Sequence, residues 1–200
     1  MHYKTNISNL VKDIELRQDP VIITVNKFTE DTAREFQTAM CAAQNSGQKV
    51  VPVEIDSYGG EVYSLLSMIS SIKNSSIPVA TVIQGKAMSC GAILASFGTK
   101  GYRYMDPDAT MMIHDISSGA WGKIEDLKSE VREVERLQDK VFKMMSENCE
   151  KDPEYFINLI AAKGRADWFL EAEEAIKHGI VDHCKVPVLE INVNVEIDLK

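Results

Sequence analysis

The chain has 200 residues, 44% of them hydrophobic, and a formal net charge of −8. That is enough apolar material for a core without disulfide or metal staples, and the acidic balance excludes a basic nucleic-acid footprint. The four cysteines, Cys41, Cys90, Cys149 and Cys184, are widely spaced and form no C-x-x-C, which excludes a disulfide framework and a zinc ribbon. Met1 to Arg17 mixes charges of both signs and lacks the apolar centre of a signal peptide. No apolar run approaches the roughly 18 residues of a membrane span. These features predict a soluble protein of a reducing, cytoplasmic compartment, without nucleic-acid or membrane partners.

Met1 to Asp19 is polar and weakly patterned, an arm or short helix ending near Pro20. Pro20 to Val25 reads as a strand. Thr29-Glu30-Asp31-Thr32 has N-cap chemistry and opens a helix that runs to about Gly47. Val50 to Ile55 is a second strand, closed by Asp56-Ser57-Tyr58-Gly59-Gly60, and a helix with Val62, Leu65, Leu66, Met68, Ile69 and Ile72 on its apolar face follows. Pro78 to Ile83 is a third strand that Gly85 is expected to break. A helix packed through Gly91, Ala92 and Ala95 then runs from Ser89 to about Phe97. Tyr102 to Tyr104 and Thr110 to Ile113 are shorter strand candidates.

From about Lys123 to Glu150, Ile124, Leu127, Val131, Val134, Leu137, Val141 and Met144 recur three and four apart, the pattern of one long helix. A helix of that length projects from so small a core, and its apolar stripe then calls for a partner, most simply another copy of the chain. Asp152-Pro153-Glu154 starts a helix ending near Gly164, and Glu171 to His178 forms a short one with Gly179 as its cap. Val188 to Leu199 alternates with a strand period. No repeat or linker interrupts the chain, so residues 1–200 read as one domain with an arm at 1–19, a long helix at about 123–150 and a strand-like tail at 188–200. Strands alternating with helices over short loops predict an α/β fold with right-handed crossovers and a parallel sheet. Sites in such sheets lie at the carboxyl ends of strands, which is where Gly59-Gly60 and Ser89 fall.

A serine at the mouth of a strand-to-helix turn sits where free N–H groups and the helix dipole favour negative charge, the setting an acyl-transfer nucleophile needs. His114 ends the apolar run Met111-Met112-Ile113 and could serve as base. Asp167, beside Trp168 and Phe169, could orient the imidazole. Spacing alone does not select these three. The words around them do more: Ser57-Tyr58-Gly59-Gly60-Glu61-Val62, Gly85-Lys86-Ala87-Met88-Ser89-Cys90-Gly91-Ala92, Met112-Ile113-His114, Asp167-Trp168-Phe169-Leu170 and Glu173 to Asp182 stand together and in order. This set resembles the proteolytic subunit of the Clp protease (ClpP), a serine peptidase family, from about Val51 to Asp182.

The resemblance implies a ClpP/crotonase-like fold of repeated ββα units with a projecting "handle" helix. It implies Ser89 as nucleophile, His114 as base and Asp167 as acid, with backbone N–H donors of Gly60 and Cys90 forming the oxyanion hole. An extended polypeptide substrate would lie between a strand at Gly60 to Val62 and the segment Ser117, Ser118, Gly119, with Gly59, Glu61 and Val62 among its binding residues. It further implies self-association into heptameric rings, two of which stack as a tetradecamer, and supply of unfolded chains by an ATP-dependent unfoldase of the Clp/Hsp100 type. No cofactor and no metal are implied.

Three positions depart from the family pattern. Tyr58 stands where a proline usually precedes the glycine pair, removing a rigid turn. Asp115-Ile116 replaces Gln-Pro after the histidine, and a carboxylate close to the imidazole would raise its pKa. Ala166 replaces an arginine that takes part in ring-to-ring contacts. Cys90 reads as a packing residue with a useful N–H, and Trp121 and Trp168 as packing or site-lining residues. The cluster His178, Asp182, His183 and Cys184 has the residue types of a metal site without its spacing. Two other functions compete: a catalytically silent subunit of a mixed ring, and a crotonase-type acyl-CoA enzyme using the same paired N–H donors.

Overall fold

The computed structural model describes residues 3–6, 20–119 and 121–192. Most of the expected arm and the end of the expected tail therefore lie outside the described residues. Within the arm, β1 (Tyr3–Asn6) is a strand rather than a helix. β2 (Ile23–Val25) leads to α1 (Glu30–Asn45), where Thr29 caps as expected: its hydroxyl accepts from the Thr32 N–H while the Thr32 hydroxyl accepts from the Thr29 N–H. β3 (Val51–Ser57) and α2 (Val62–Lys73) follow the sequence reading closely. In β3, Val51, Val53 and Ile55 are fully buried, as are Val82 and Ile83 in β4 (Val79–Met88). Near-continuous burial of β-branched residues is what central parallel strands covered by helices require.

Gly85 does not break β4. The strand runs on to Met88, and Gly85, at φ 85°, marks an irregularity between pairs Ile55↔Ile83 and Ser57↔Ala87. The bend lets one edge of β4 serve two neighbours in succession. Thr81 to Ile83 pairs with β5 (Arg103–Met105), and Lys86 to Met88 pairs with β6 (Thr110–Ile113). Without that extension β6, and His114 after it, would have no place beside Ser89.

α3 (Cys90–Ser96) is buried along its whole length. α4 (Ile124–Asn148) is the long helix, about 37 Å at 1.5 Å per residue. Its expected stripe is only half buried: Leu137 and Val141 enter the core, whereas Ile124 and Val131 are 70% and 56% exposed. α5 (Tyr155–Ala162), β7 (Trp168–Leu170), α6 (Ala172–Lys177), β8 (His183–Cys184) and β9 (Leu189–Asn192) complete the described chain. β9 pairs in parallel with β1, apart from the main sheet.

The main sheet runs β2-β3-β4-β5-β8, with β6 joined to β4 and β7 to β6. All of these pairs are parallel except β6–β7, which is antiparallel and departs from the wholly parallel expectation. Three residues cannot display a strand period, so β7 is invisible until β6 offers an edge. Trp168 is buried as expected, whereas Trp121 is fully exposed and packs on nothing described.

Candidate active site

β4 delivers Ser89 to the start of α3 with φ 54° and ψ −120°, a left-handed backbone that non-glycine residues avoid. The Ser89 N–H donates to the Met112 carbonyl at 2.8 Å, tying the turn to β6. Its hydroxyl makes no capping bond to α3, so the residue does not spend its side chain as an ordinary N-cap. Strain at a strand-to-helix turn whose hydroxyl is not used as a helix cap is the geometry of a nucleophile elbow.

The glycine pair lies against this turn. A Cβ on Gly59 would meet the Ser89 Cβ at 2.8 Å, and one on Gly60 would meet the Phe28 carbonyl at 2.4 Å. Gly59 and Gly60 hold φ values of 103° and 151°, so this approach requires glycine twice over. The Ser57 hydroxyl donates to Asn26 O and accepts from Gly59 N, both at 3.0 Å, and Glu61 N donates to Phe28 O at 2.8 Å. The Cys90 thiol is buried, pushed up to about 11, and donates to the Gly60 carbonyl at 3.2 Å. A thiol held protonated is a packing and hydrogen-bonding group, not a competing nucleophile.

His114 directly follows β6, and Asp167 directly precedes β7. They are the next residues out from Ile113↔Trp168, the last pair of the β6–β7 ladder. Ser89, His114 and Asp167 thus occupy the ends of three successive strands. His114 is half-buried and Asp167 exposed. Among the described residues no hydrogen bond or ion pair joins their side chains.

The sequence matches the Clp protease family model over residues 6–187. The ATP-dependent Clp protease proteolytic subunit of Deinococcus radiodurans is 32% identical over 146 residues, covering 73% of this chain and 69% of that protein. Proteolytic subunit 1 of Rhodopirellula baltica is 33% identical over 168 residues (84% of this chain, 72% of the relative), and that of Chlamydia felis 32% over 168 residues (84% and 81%). The chain belongs to the Clp protease family.

Against that family's pattern, Tyr58 does not leave the turn unsupported. Lys86 lies 4.4 Å from the centre of the Tyr58 ring and donates to Asp56 Oδ1 at 2.5 Å. This Asp56–Lys86–Tyr58 stack spans β3 and β4, the strands that lead to Gly60 and Ser89. Asp115 turns to Arg165, accepting from its Nη1 at 2.8 Å.

Most of the expected substrate segments share one cleft. Gly59, Gly60, Glu61 and Val62 form one wall, with Ile116, Ser117 and Ser118 across from them. Gly119 is exposed and does not line it. Gly60 to Val62 is not the strand expected there: Gly60 makes a single bridge to Phe28, the Glu61 N–H is already used, and Val62 begins α2. Phe28, Thr29, Glu130, Val134 and Leu137 also line the cleft. Sequence reading missed them because Phe28 sits in a short connection, Thr29 read as a helix cap, Val134 and Leu137 as helix stripe, and Glu130 as one of the charges between.

The supposed metal cluster is dispersed. Asp182 accepts from Gly101 and from the Arg103 backbone and guanidinium. His178 faces Tyr155 at 2.8 Å, and His183 faces the Gly101 carbonyl at 3.0 Å. No described helix is long and apolar enough to cross a membrane.

Proposed function

We propose that this protein is a serine endopeptidase, the proteolytic subunit of an ATP-dependent Clp protease, hydrolysing unfolded polypeptides. The observation that carries the reading is Ser89, strained at the end of β4 with its hydroxyl uncommitted to the helix cap and Gly59 pressed against it. The Ser89 hydroxyl attacks the scissile carbonyl while His114 takes its proton, and Asp167 orients the imidazole across the β6–β7 register. The oxyanion is met by the N–H groups of Gly60 and Cys90, the second at the first turn of α3. His114 then protonates the leaving amine, and water releases the acyl group by the same steps in reverse roles. The substrate lies extended in the cleft between Gly59 to Val62 and Ile116 to Ser118.

The family places such chemistry inside rings, and the exposed Ile124 and Val131 on the outer half of α4 supply an apolar face for self-association into heptamers and a stacked pair of them. An unfoldase of the Clp/Hsp100 type would deliver chains, and the reducing cytoplasm is the compartment the free cysteines suit. A catalytically silent ring subunit is the second reading, favoured by the missing hydrogen bonds among the three side chains. Labelling with a fluorophosphonate separates them. Wild-type label that disappears in Ser89→Ala supports the peptidase; an assembled oligomer that takes no label establishes the silent subunit.

A further inference from the structure

We propose that Arg165 and Asp115 form a positioning clamp that sets the base-bearing end of β6 against the acid-bearing start of β7. The inference rests on the peptidase reading of Ser89, His114 and Asp167.

The pair flanks the two residues whose alignment matters. Asp115 follows His114 directly, and Arg165 precedes Asp167 by two. The regular ladder has already ended at Ile113↔Trp168, so no backbone pairing holds the two strand ends at the level of His114 and Asp167. The Arg165–Asp115 contact at 2.8 Å is the first cross-link beyond that end.

Both ends of the clamp are anchored. α5 closes with Gly164 N donating to Ala161 O and Arg165 N to Ile160 O, each at 3.0 Å. Gly164 and Arg165 are both left-handed, at φ 74° and 57°, a helix end that fixes where the arginine starts. On the other side, Ile116 N donates to Gln138 Oε1 at 2.9 Å, holding the segment after Asp115 against α4. The guanidinium and carboxylate therefore join two supported frames, and the base and acid sit between them.

Stability does not account for the pair. Its side chains are 57% and 26% exposed, a setting in which an ion pair adds little to folding. Asp115 Oδ1 is enclosed without a hydrogen-bond donor, a net cost to the folded state. A contact that is weak in solvent and leaves one carboxylate oxygen unsatisfied earns its place through position. It also answers two departures in sequence at once. The carboxylate introduced beside the base is neutralised, and an arginine one place away from its usual position before the acid is engaged within the chain.

The test uses the full-length assembled protein, with peptidase kinetics on a small fluorogenic peptide, the rate of Ser89 acylation by a fluorophosphonate, and thermal denaturation. Arg165→Met and Asp115→Asn each lower kcat and the acylation rate by about tenfold, since misaligned groups lose rate steeply, while KM stays within about twofold and Tm within about 3 °C. Arg165→Lys and the exchange Asp115→Arg with Arg165→Asp recover most of the lost rate. Should Arg165→Met fail to fold, Asp115→Asn and Arg165→Lys decide the matter. Labelled wild type with Asp115→Asn and Arg165→Met acylated at the wild-type rate overturns the clamp alone, as does a rise in KM at constant kcat. Wild type that is itself unlabelled overturns the peptidase reading and the clamp with it.

Discussion

Gly60→Ala is the sharpest test of the donor loop. The new Cβ would stand 2.4 Å from the Phe28 carbonyl oxygen, a backbone atom that cannot swing aside. Reaching an ordinary C···O contact of about 3.3 Å needs a displacement of about 1 Å. An oxyanion donor works only within roughly 2.7–3.1 Å of the developing charge, so that shift removes it. The expected loss is about 10² to 10³ in kcat, or about 3–4 kcal/mol, with KM changed far less. Alanine at φ 151° also strains the backbone by about 1–3 kcal/mol, lowering Tm by several degrees at about 2–4 °C per kcal/mol. Gly101→Ala is the control. It carries comparable strain at φ 85° but meets nothing within 4 Å, and it should lose stability without losing kcat. Steady-state kinetics beside thermal denaturation separate the two effects. A folded Gly60→Ala protein with kcat within about threefold of wild type would refute the assignment of the Gly60 N–H as donor.

Asp182→Asn leaves the Arg103 guanidinium, whose side chain is only 5% exposed, without its counter-charge, and should cost about 3–5 kcal/mol, lowering Tm by on the order of 10 °C. Burial pushes the Asp182 carboxyl up, but Arg103 and the Gly101 and Arg103 amides outweigh it and hold it below 3.8. The folded state thus binds its proton less tightly than the unfolded chain. This stabilisation is complete above the unfolded value and fades as pH falls through the folded one. Denaturant titrations of wild type and variant should therefore converge in strong acid; a gap that widens there contradicts the ion-pair account. Lys86→Met removes the cation over Tyr58, worth about 0.5–1 kcal/mol, and should lower kcat about three- to tenfold while Lys86→Arg retains it. Unchanged turnover in Lys86→Met would mean that the Gly59-Gly60 turn needs no such support.

Much of the site could be read locally because its markers are local. Thr29 caps α1 through atoms three residues away, and α4 shows its period within its own sequence. Gly59-Gly60 and Ser89 follow runs of β-branched residues directly, which sets them at strand ends before any fold is built. The extension of β4 past Gly85 was not readable in this way, because glycine ends a strand or bends it according to what pairs beyond it, here Asp56 and β6. The strand at Gly60 to Val62 came from the family resemblance, whereas the residue pattern had already put Val62 on the apolar face of the helix that is α2.

By itself the sequence determined which residues stand at the turns, how the helices begin and end, and, through five ordered motifs, the family. Tertiary structure alone decided which strand ends meet. The antiparallel β6–β7 pair, the Asp115–Arg165 contact and the Lys86–Tyr58 stack each join residues 28 to 59 positions apart by sequence number, with contacts set by sheet register. Register depends on the whole sheet closing around its core, so no window of neighbouring residues contains it.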